Sequence, residues 1–199
     1  MTTEYKNLID GELITTSGWM DVVNPANESV IGKVPSCGED ELNRAVTAAR
    51  RAFKTWSKTS IDERRAVLHA IADAIEANHD QLFRLLTREQ GKPHAQAEME
   101  IGGAPANIRA QATLEFQDII NEDSENRLSR TRRVPVGVVG GIVPWNFPVL
   151  MAVQKIAPAL LSGCTIVLKP SPFTPLTTLL IAELIADKVP AGVLNIITG

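Results

Sequence analysis

Cysteine is nearly absent from this 199-residue chain: Cys37 and Cys164 are the only two, and they lie far apart. They match neither a zinc spacing nor a disulfide framework, which suits a reducing compartment. Positive charge is not in excess either. Twenty Lys and Arg face 23 Asp and Glu, for a net charge of -3, so no broad basic field exists to draw in a phosphate backbone, and no nucleic-acid partner is expected. No apolar run reaches the roughly 20 residues a membrane span needs, and Met1 to Tyr5 lack the basic stretch and apolar run of a signal peptide. A cytoplasmic protein with no membrane partner is the expectation. His69, His79 and His94 show no H-E-x-x-H or other ligand spacing, so no metal is expected. Gly137, Gly140 and Gly141 form neither G-x-G-x-x-G nor a Walker loop. Aromatics are 5% of the chain, and Trp19, Trp56 and Trp145 are too scattered to stack bases.

What is present is the profile of a globular protein with a real core: 44% apolar and 22% charged residues. Its texture changes along the chain. Residues 6–35 mix short apolar runs with the turn signals Asp10-Gly11, Asn24-Pro25 and Pro35, which predicts hairpin-like strands. From Glu39 to about Gln117 the pattern is helical. Leu42, Ala45, Val46, Ala49, Phe53 and Trp56 make one stripe, and Val67, Leu68, Ile71 and Ile75 make the next, behind a Ser60-x-x-Glu63 capping box. Gly91 ends a third helix, and Gly102, Gly103 and Pro105 predict a kink or break in the fourth. Residues 118–133 are polar and charged, which reads as an exposed loop leading into a strand. Arg130, Arg132 and Arg133 there suit either phosphate, a solvated strand face or a contact to another subunit. The organisation expected is therefore 1–117, strands and helices packing on the carboxyl-terminal unit; 118–133, an exposed loop or arm, one of whose readings is an oligomer contact; and 134–199, the carboxyl-terminal unit itself.

The last third alternates apolar strands with helices. Val136 to Val143, Thr165 to Leu168 and Val193 to Thr198 are strand-like, and Val149 to Leu161 and Leu176 to Lys188 are helix-like. This is β-α-β-α-β, an α/β fold with a Rossmann-like parallel sheet covered on both faces and joined by right-handed crossovers. In a chain standing alone, the final run would be the end of the sheet, an apolar strand that needs cover. Ligands in such sheets sit beyond the carboxyl ends of the strands. Those ends are PWNFP at 144–148 and KPSP at 169–172. Prolines on both sides restrict Asn146, whose amide suits either a donor to a developing oxyanion or a cap for the next helix. Lys169, ending a buried strand, suits either a grip on a ribose hydroxyl or phosphate, or a side chain reaching solvent along its aliphatic stem. Cys164 opens a buried strand and packs as a small hydrophobe, and Cys37 lies in a turn before the first helix.

PWNFP, PALLSG at 158–163, KPSPFTP and PAGVLNIITG, in that order and spacing, resemble the cofactor-binding region of the NAD(P)-dependent aldehyde dehydrogenase superfamily. NPANESVIGKVP and EQGKP at 89–93 resemble its amino-terminal region. The resemblance implies oxidation of an aldehyde to a carboxylic acid with NAD or NADP, through a cysteine thiohemiacetal and thioester, in a homodimer or homotetramer. It makes 134–199 the first half of a dinucleotide-binding domain, Asn146 the oxyanion-hole asparagine and Lys169 the contact to the adenosine ribose. Ile142, Pro144 and Trp145 become cofactor-lining positions, with Ser171 in the same turn as Lys169. Pro172 stands where many NAD-preferring members have a glutamate; proline neither binds the ribose diol nor repels a 2′-phosphate, so either dinucleotide is admitted. The family's cysteine nucleophile and glutamate base would come after Gly199, so the expectation is an inactive amino-terminal portion. The rival expectation is a non-catalytic truncated paralogue that binds nucleotide weakly or pairs with a full-length relative.

Overall fold

The computed structural model describes residues 2–199. Four strands open it: β1 (Asn7–Ile9), β2 (Glu12–Ile14), β3 (Trp19–Val23) and β4 (Val30–Pro35). Asp10 and Gly11, with φ of 59° and 79°, join β1 to β2 in the left-handed conformation that two-residue hairpins require. Four helices follow: α1 (Glu39–Trp56), α2 (Ile61–Ala77), α3 (His79–Gln90) and α4 (His94–Ala112). The start of α2 is the expected capping box. Ser60 Oγ accepts from the Glu63 N–H at 3.1 Å, and the Glu63 carboxylate accepts from the Ser60 N–H at 2.7 Å. Gly91, in the left-handed region at φ 82°, closes α3.

Two helical expectations need correction. Leu42, read as part of the buried stripe of α1, is 44% exposed, because it borders an open groove rather than the core. The expected break at Pro105 does not occur: α4 is continuous through Gly102, Gly103 and Pro105. Glycine costs about 1 kcal/mol and proline about 3 kcal/mol in a helix interior. Burial of Ala97, Ile101, Ala104 and Ile108 among α2, α3 and further helices offsets this, and the small residues let the helices approach closely. The segment 118–133, read as a loop, is an antiparallel hairpin, β5 (Ile119–Ser124) with β6 (Arg127–Thr131), exposed along its length. Arg130 and Arg132 each lie 3.4 Å from the Asp118 carboxylate, so the basic cluster pairs with the acidic residues before it.

The remainder is β7 (Val138–Ile142), α5 (Pro148–Leu161), β8 (Thr165–Lys169), α6 (Leu176–Ile185) and β9 (Leu194–Ile196), with β7, β8 and β9 parallel as expected. The sheet order is β2-β1-β9-β8-β7. The last strand is not the end of the sheet: β1 pairs with it antiparallel at Leu8 and Ile196, so the first hairpin covers its edge. Both strands are buried throughout, including Asn7 of β1 and Asn195 of β9. Alternation along β8 explains its unbroken apolar run. Val167 meets Ala45 and Ala49 of α1, and Thr165 Oγ1 donates to the Ala49 carbonyl at 3.0 Å, whereas Ile166 and Leu168 belong to the core with α5 and α6. The layers are thus α1, the sheet, α5 with α6, and α2 to α4 behind them.

Candidate functional site

The carboxyl ends of β7, β8 and β9 border a groove of about 630 Å³ beside α1. Leu42 and Val46 of α1 form one wall. Gly140 and Ile142 of β7, Val167 and Lys169 of β8, and Ile197 and Thr198 after β9 face it, with Cys37, Glu39 and Arg50 at its border. Nothing lies within 4 Å of the place where a Cβ on Gly140 would stand, so its lack of a side chain keeps the groove open. Among the described residues Lys169 forms no ion pair, and its ammonium is available to a ligand. A mostly apolar slot that also carries the Lys169 and Arg50 cations and the Glu39 carboxylate fits a flat nucleobase with a hydroxylated or phosphorylated sugar.

Two loops leave the strands here. The first, from Val143 to Phe147, continues the ladder through the Val143 N–H to the Lys169 carbonyl at 3.1 Å and then enters α5 at Pro148, whose missing N–H costs nothing at that position. The N–H groups of Val149 and Leu150 donate to one oxygen of Glu100, at 2.9 and 3.1 Å. Glu100, not Asn146, therefore caps α5. Asn146 is exposed, and among the described residues its side-chain amide makes no hydrogen bond. The second loop runs from Pro170 to Pro175. Ser171 is buried in it, its Oγ accepting from the Phe173 N–H at 3.3 Å, while Pro172 is exposed. The helix after it, α6, is also capped from a distance: the Leu176 and Thr177 N–H groups donate to the two oxygens of Glu89, at 2.7 and 2.9 Å.

The structure thus brings Ile142 and Lys169 into one groove and leaves Asn146 free at the next turn. Pro144 is exposed beside it. Trp145 lines a different hollow, about 360 Å³, with Phe173, Thr174 and Pro25. Cys164 is buried, and Cys37 borders the groove. Burial, assisted by the Glu41 carboxylate, pushes the Cys37 thiol above its ordinary range, so it is not an activated nucleophile. No group of three or more His, Cys, Asp or Glu among the described residues is placed to hold a metal ion. No helix among them is long and apolar enough to cross a membrane.

Sequence reasoning missed Glu89 and Glu100. The signal was there: Glu89 continues the buried stripe Leu82, Leu85, Leu86, and Glu100 falls between Ala97 and Ala104 on the buried face of α4. Burial raises the Glu89 carboxyl from its ordinary 4.5 to about 7, although hydrogen bonds from Thr177 and Leu176 pull it down. A carboxyl so raised binds a proton in the folded protein that the unfolded chain has already lost. Its contribution to stability is therefore present below about pH 4.5 and lost as pH rises to about 7, by on the order of a few kcal/mol. Glu89→Gln lacks this dependence. Urea midpoints at pH 5 and pH 8 should show the variant gaining on the wild type with rising pH; a constant gap would mean that Glu89 is ionised throughout.

Comparison with known proteins agrees with this architecture. The profile described as "Aldehyde dehydrogenase family" matches residues 14–199. The NADP(+) succinate-semialdehyde dehydrogenase of Escherichia coli K12 is 40% identical over 198 residues, covering 96% of this chain and 41% of that protein. Among solved structures, lactaldehyde dehydrogenase from Escherichia coli superposes with a TM-score of 0.94 at 34% identity, over 100% of this chain and 43% of the other. An aldehyde dehydrogenase from Bacillus cereus in complex with NAD+ gives a TM-score of 0.92 at 37% identity, over 98% and 42%. The chain spans about two fifths of the length of the curated relatives it matches. With the family match over residues 14–199 and superposition over nearly all of its length, the chain belongs to the aldehyde dehydrogenase family.

Proposed function

We propose that these residues are the amino-terminal portion of a cytoplasmic enzyme that oxidises an aldehyde to a carboxylic acid with NAD or NADP. The observation that carries the reading is the pairing of a Gly140-opened, mostly apolar groove with a Lys169 and an Asn146 amide that, among the described residues, have no ion-pair and no hydrogen-bond partner respectively. The groove fits the adenosine half of a dinucleotide. Lys169 holds the ribose hydroxyls, Ile142 packs on the base, and Pro144, Trp145, Ser171 and Pro172 shape the turns around them. The bound dinucleotide supplies the hydride acceptor. Asn146 donates an N–H to the aldehyde oxygen as charge grows there during thiolate attack. That thiolate and the base that activates water come from outside these 199 residues, since Cys164 is buried and the Cys37 thiol is raised. By themselves these residues turn over no aldehyde. The exposed hairpin 118–133, with Ile119, Ile120 and Leu128 on its surface, serves as the subunit-contact arm of a homodimer or homotetramer.

The test is a titration of the full-length protein with each dinucleotide. Lys169→Met should raise the KM for both by roughly ten- to hundredfold, the worth of one charge-assisted hydrogen bond, with kcat at saturation altered less than about threefold. An unchanged KM would remove Lys169 from the cofactor site. With Pro172 neither binding a diol nor repelling a phosphate, NAD and NADP should differ in KM by less than about tenfold.

A further inference from the structure

Lys92 and Glu100 lie outside the groove, yet they hold the segment that carries Asn146. Gly91 turns the chain after α3 so that Lys92 points inward, and a Cβ on Gly91 would stand 2.7 Å from Pro25 Cγ. The Lys92 side chain is 6% exposed and that of Glu100 is fully buried. They form an ion pair. The ammonium also donates to the Asn146 carbonyl at 2.9 Å and sits 4.4 Å from the centre of the Phe147 ring. The other oxygen of Glu100 takes the Val149 and Leu150 N–H groups. From Asn146 to Leu150 each residue is therefore tied to this pair or, at Pro148, fixed by its ring.

A buried ion pair is no more stabilising than an apolar pair of the same volume, so stability does not account for it. Geometry does. Asn146 lies just before the N-cap of α5, and the helix N–H groups that a neighbouring polar side chain would otherwise bond are taken by Glu100. We infer that Lys92 and Glu100 are positioning residues for Asn146: Glu100 satisfies the start of α5 so that the Asn146 amide stays free, and Lys92 anchors its backbone by the carbonyl. The inference rests on the reading of Asn146 as the oxyanion donor.

Steady-state kinetics of the full-length enzyme test it, with Lys92→Met and Glu100→Gln made alone and on Asn146→Ala. Lys92→Met should lower kcat by roughly tenfold or more while the dinucleotide KM moves less than about twofold. On Asn146→Ala the same change should cost less than about twofold, because its route of action is already gone. Glu100→Gln keeps the shape and one carbonyl oxygen for the helix but leaves Lys92 without its counter-charge, so urea midpoints of both variants are read alongside the kinetics and Lys92→Arg, which keeps the pair, serves as the folded control. Glu100→Gln should lose roughly threefold with the same non-additivity. Lys92→Arg should restore part of kcat. Equal losses on both backgrounds would overturn the positioning role while leaving Asn146 in place. If Asn146→Ala alone leaves kcat unchanged, the oxyanion reading itself falls, and the positioning role with it.

Discussion

Asn146→Ala in the full-length enzyme is expected to lower kcat by roughly a hundred- to thousandfold, the usual cost of removing one oxyanion-hole donor. Substrate and dinucleotide KM should change little, since the donor acts on charge that exists only in the transition state. Stability discriminates this role from a structural one. A helix cap contributes about 1 kcal/mol. The Asn146 amide makes no hydrogen bond among the described residues, and the N–H groups it would cap are taken by Glu100. The variant should therefore unfold within about 0.5 kcal/mol of the wild type, as surface substitutions do. Asn146→Asp should be at least as slow, because an ionised carboxylate has no N–H to give and repels the oxyanion. An active, destabilised Asn146→Ala would make this residue a cap and not a catalyst.

The α/β order of the last third was legible because β7, β8 and β9 are apolar runs of strand length, separated by helix-period stripes, and a parallel sheet buries both faces of such runs. Asn146 and Lys169 stood out as candidates for a related reason: they are polar residues in or before turns that follow strands in an otherwise apolar stretch. The antiparallel pairing of β1 with β9 was not, because Asn7–Ile9 and Leu194–Ile196 are three residues each and nearly the whole chain apart. No periodicity over three residues records which strand accepts which. The continuity of α4 was misread for a different reason: helix propensity at Gly102, Gly103 and Pro105 is a local quantity, and the packing that outweighs it is not.

The least legible feature is the use of charge inside the stripes. Arg64 lies in register with Leu68, Ile71 and Ile75 on α2, as Glu89 and Glu100 do on their own helices, yet all three are buried. Each meets the end of another helix with the hydrogen-bonding group that the end lacks, acceptors at the N-termini and donors at the C-terminus. The two carboxylates cap the N-termini of α6 and α5, and the guanidinium meets the carbonyl of Leu161, the last residue of α5. A pattern that sorts residues by polarity puts such side chains in solvent. Only the pairing of a stripe position with a distant helix end explains them, and α5, which comes directly after the Asn146 turn, is gripped in this way at both ends.

Arg64 should accordingly dominate the stability of this arrangement. Its guanidinium donates to the Leu161, Ser57 and Thr59 carbonyls at 3.2, 3.1 and 2.9 Å and to Thr59 Oγ1 at 3.1 Å, joining the ends of α1 and α5. Gly163 makes room for it: a Cβ there would stand 2.6 Å from Arg64 Cζ. Arg64→Met fills much of the same space and gives back none of these bonds. Each stranded buried acceptor costs about 1–3 kcal/mol, and with several of these carbonyls only partly buried the total should be about 3–5 kcal/mol. That is a large share of the roughly 5–15 kcal/mol by which a domain is stable. Arg64→Lys keeps the charge but not the planar fork, since one ammonium cannot reach acceptors on both helix ends, and should lose about half as much. Urea unfolding of the three proteins reads the order directly. A methionine variant within about 1 kcal/mol of the wild type would show that the four bonds are replaced by water at no cost, and that α5 is held by its apolar face alone.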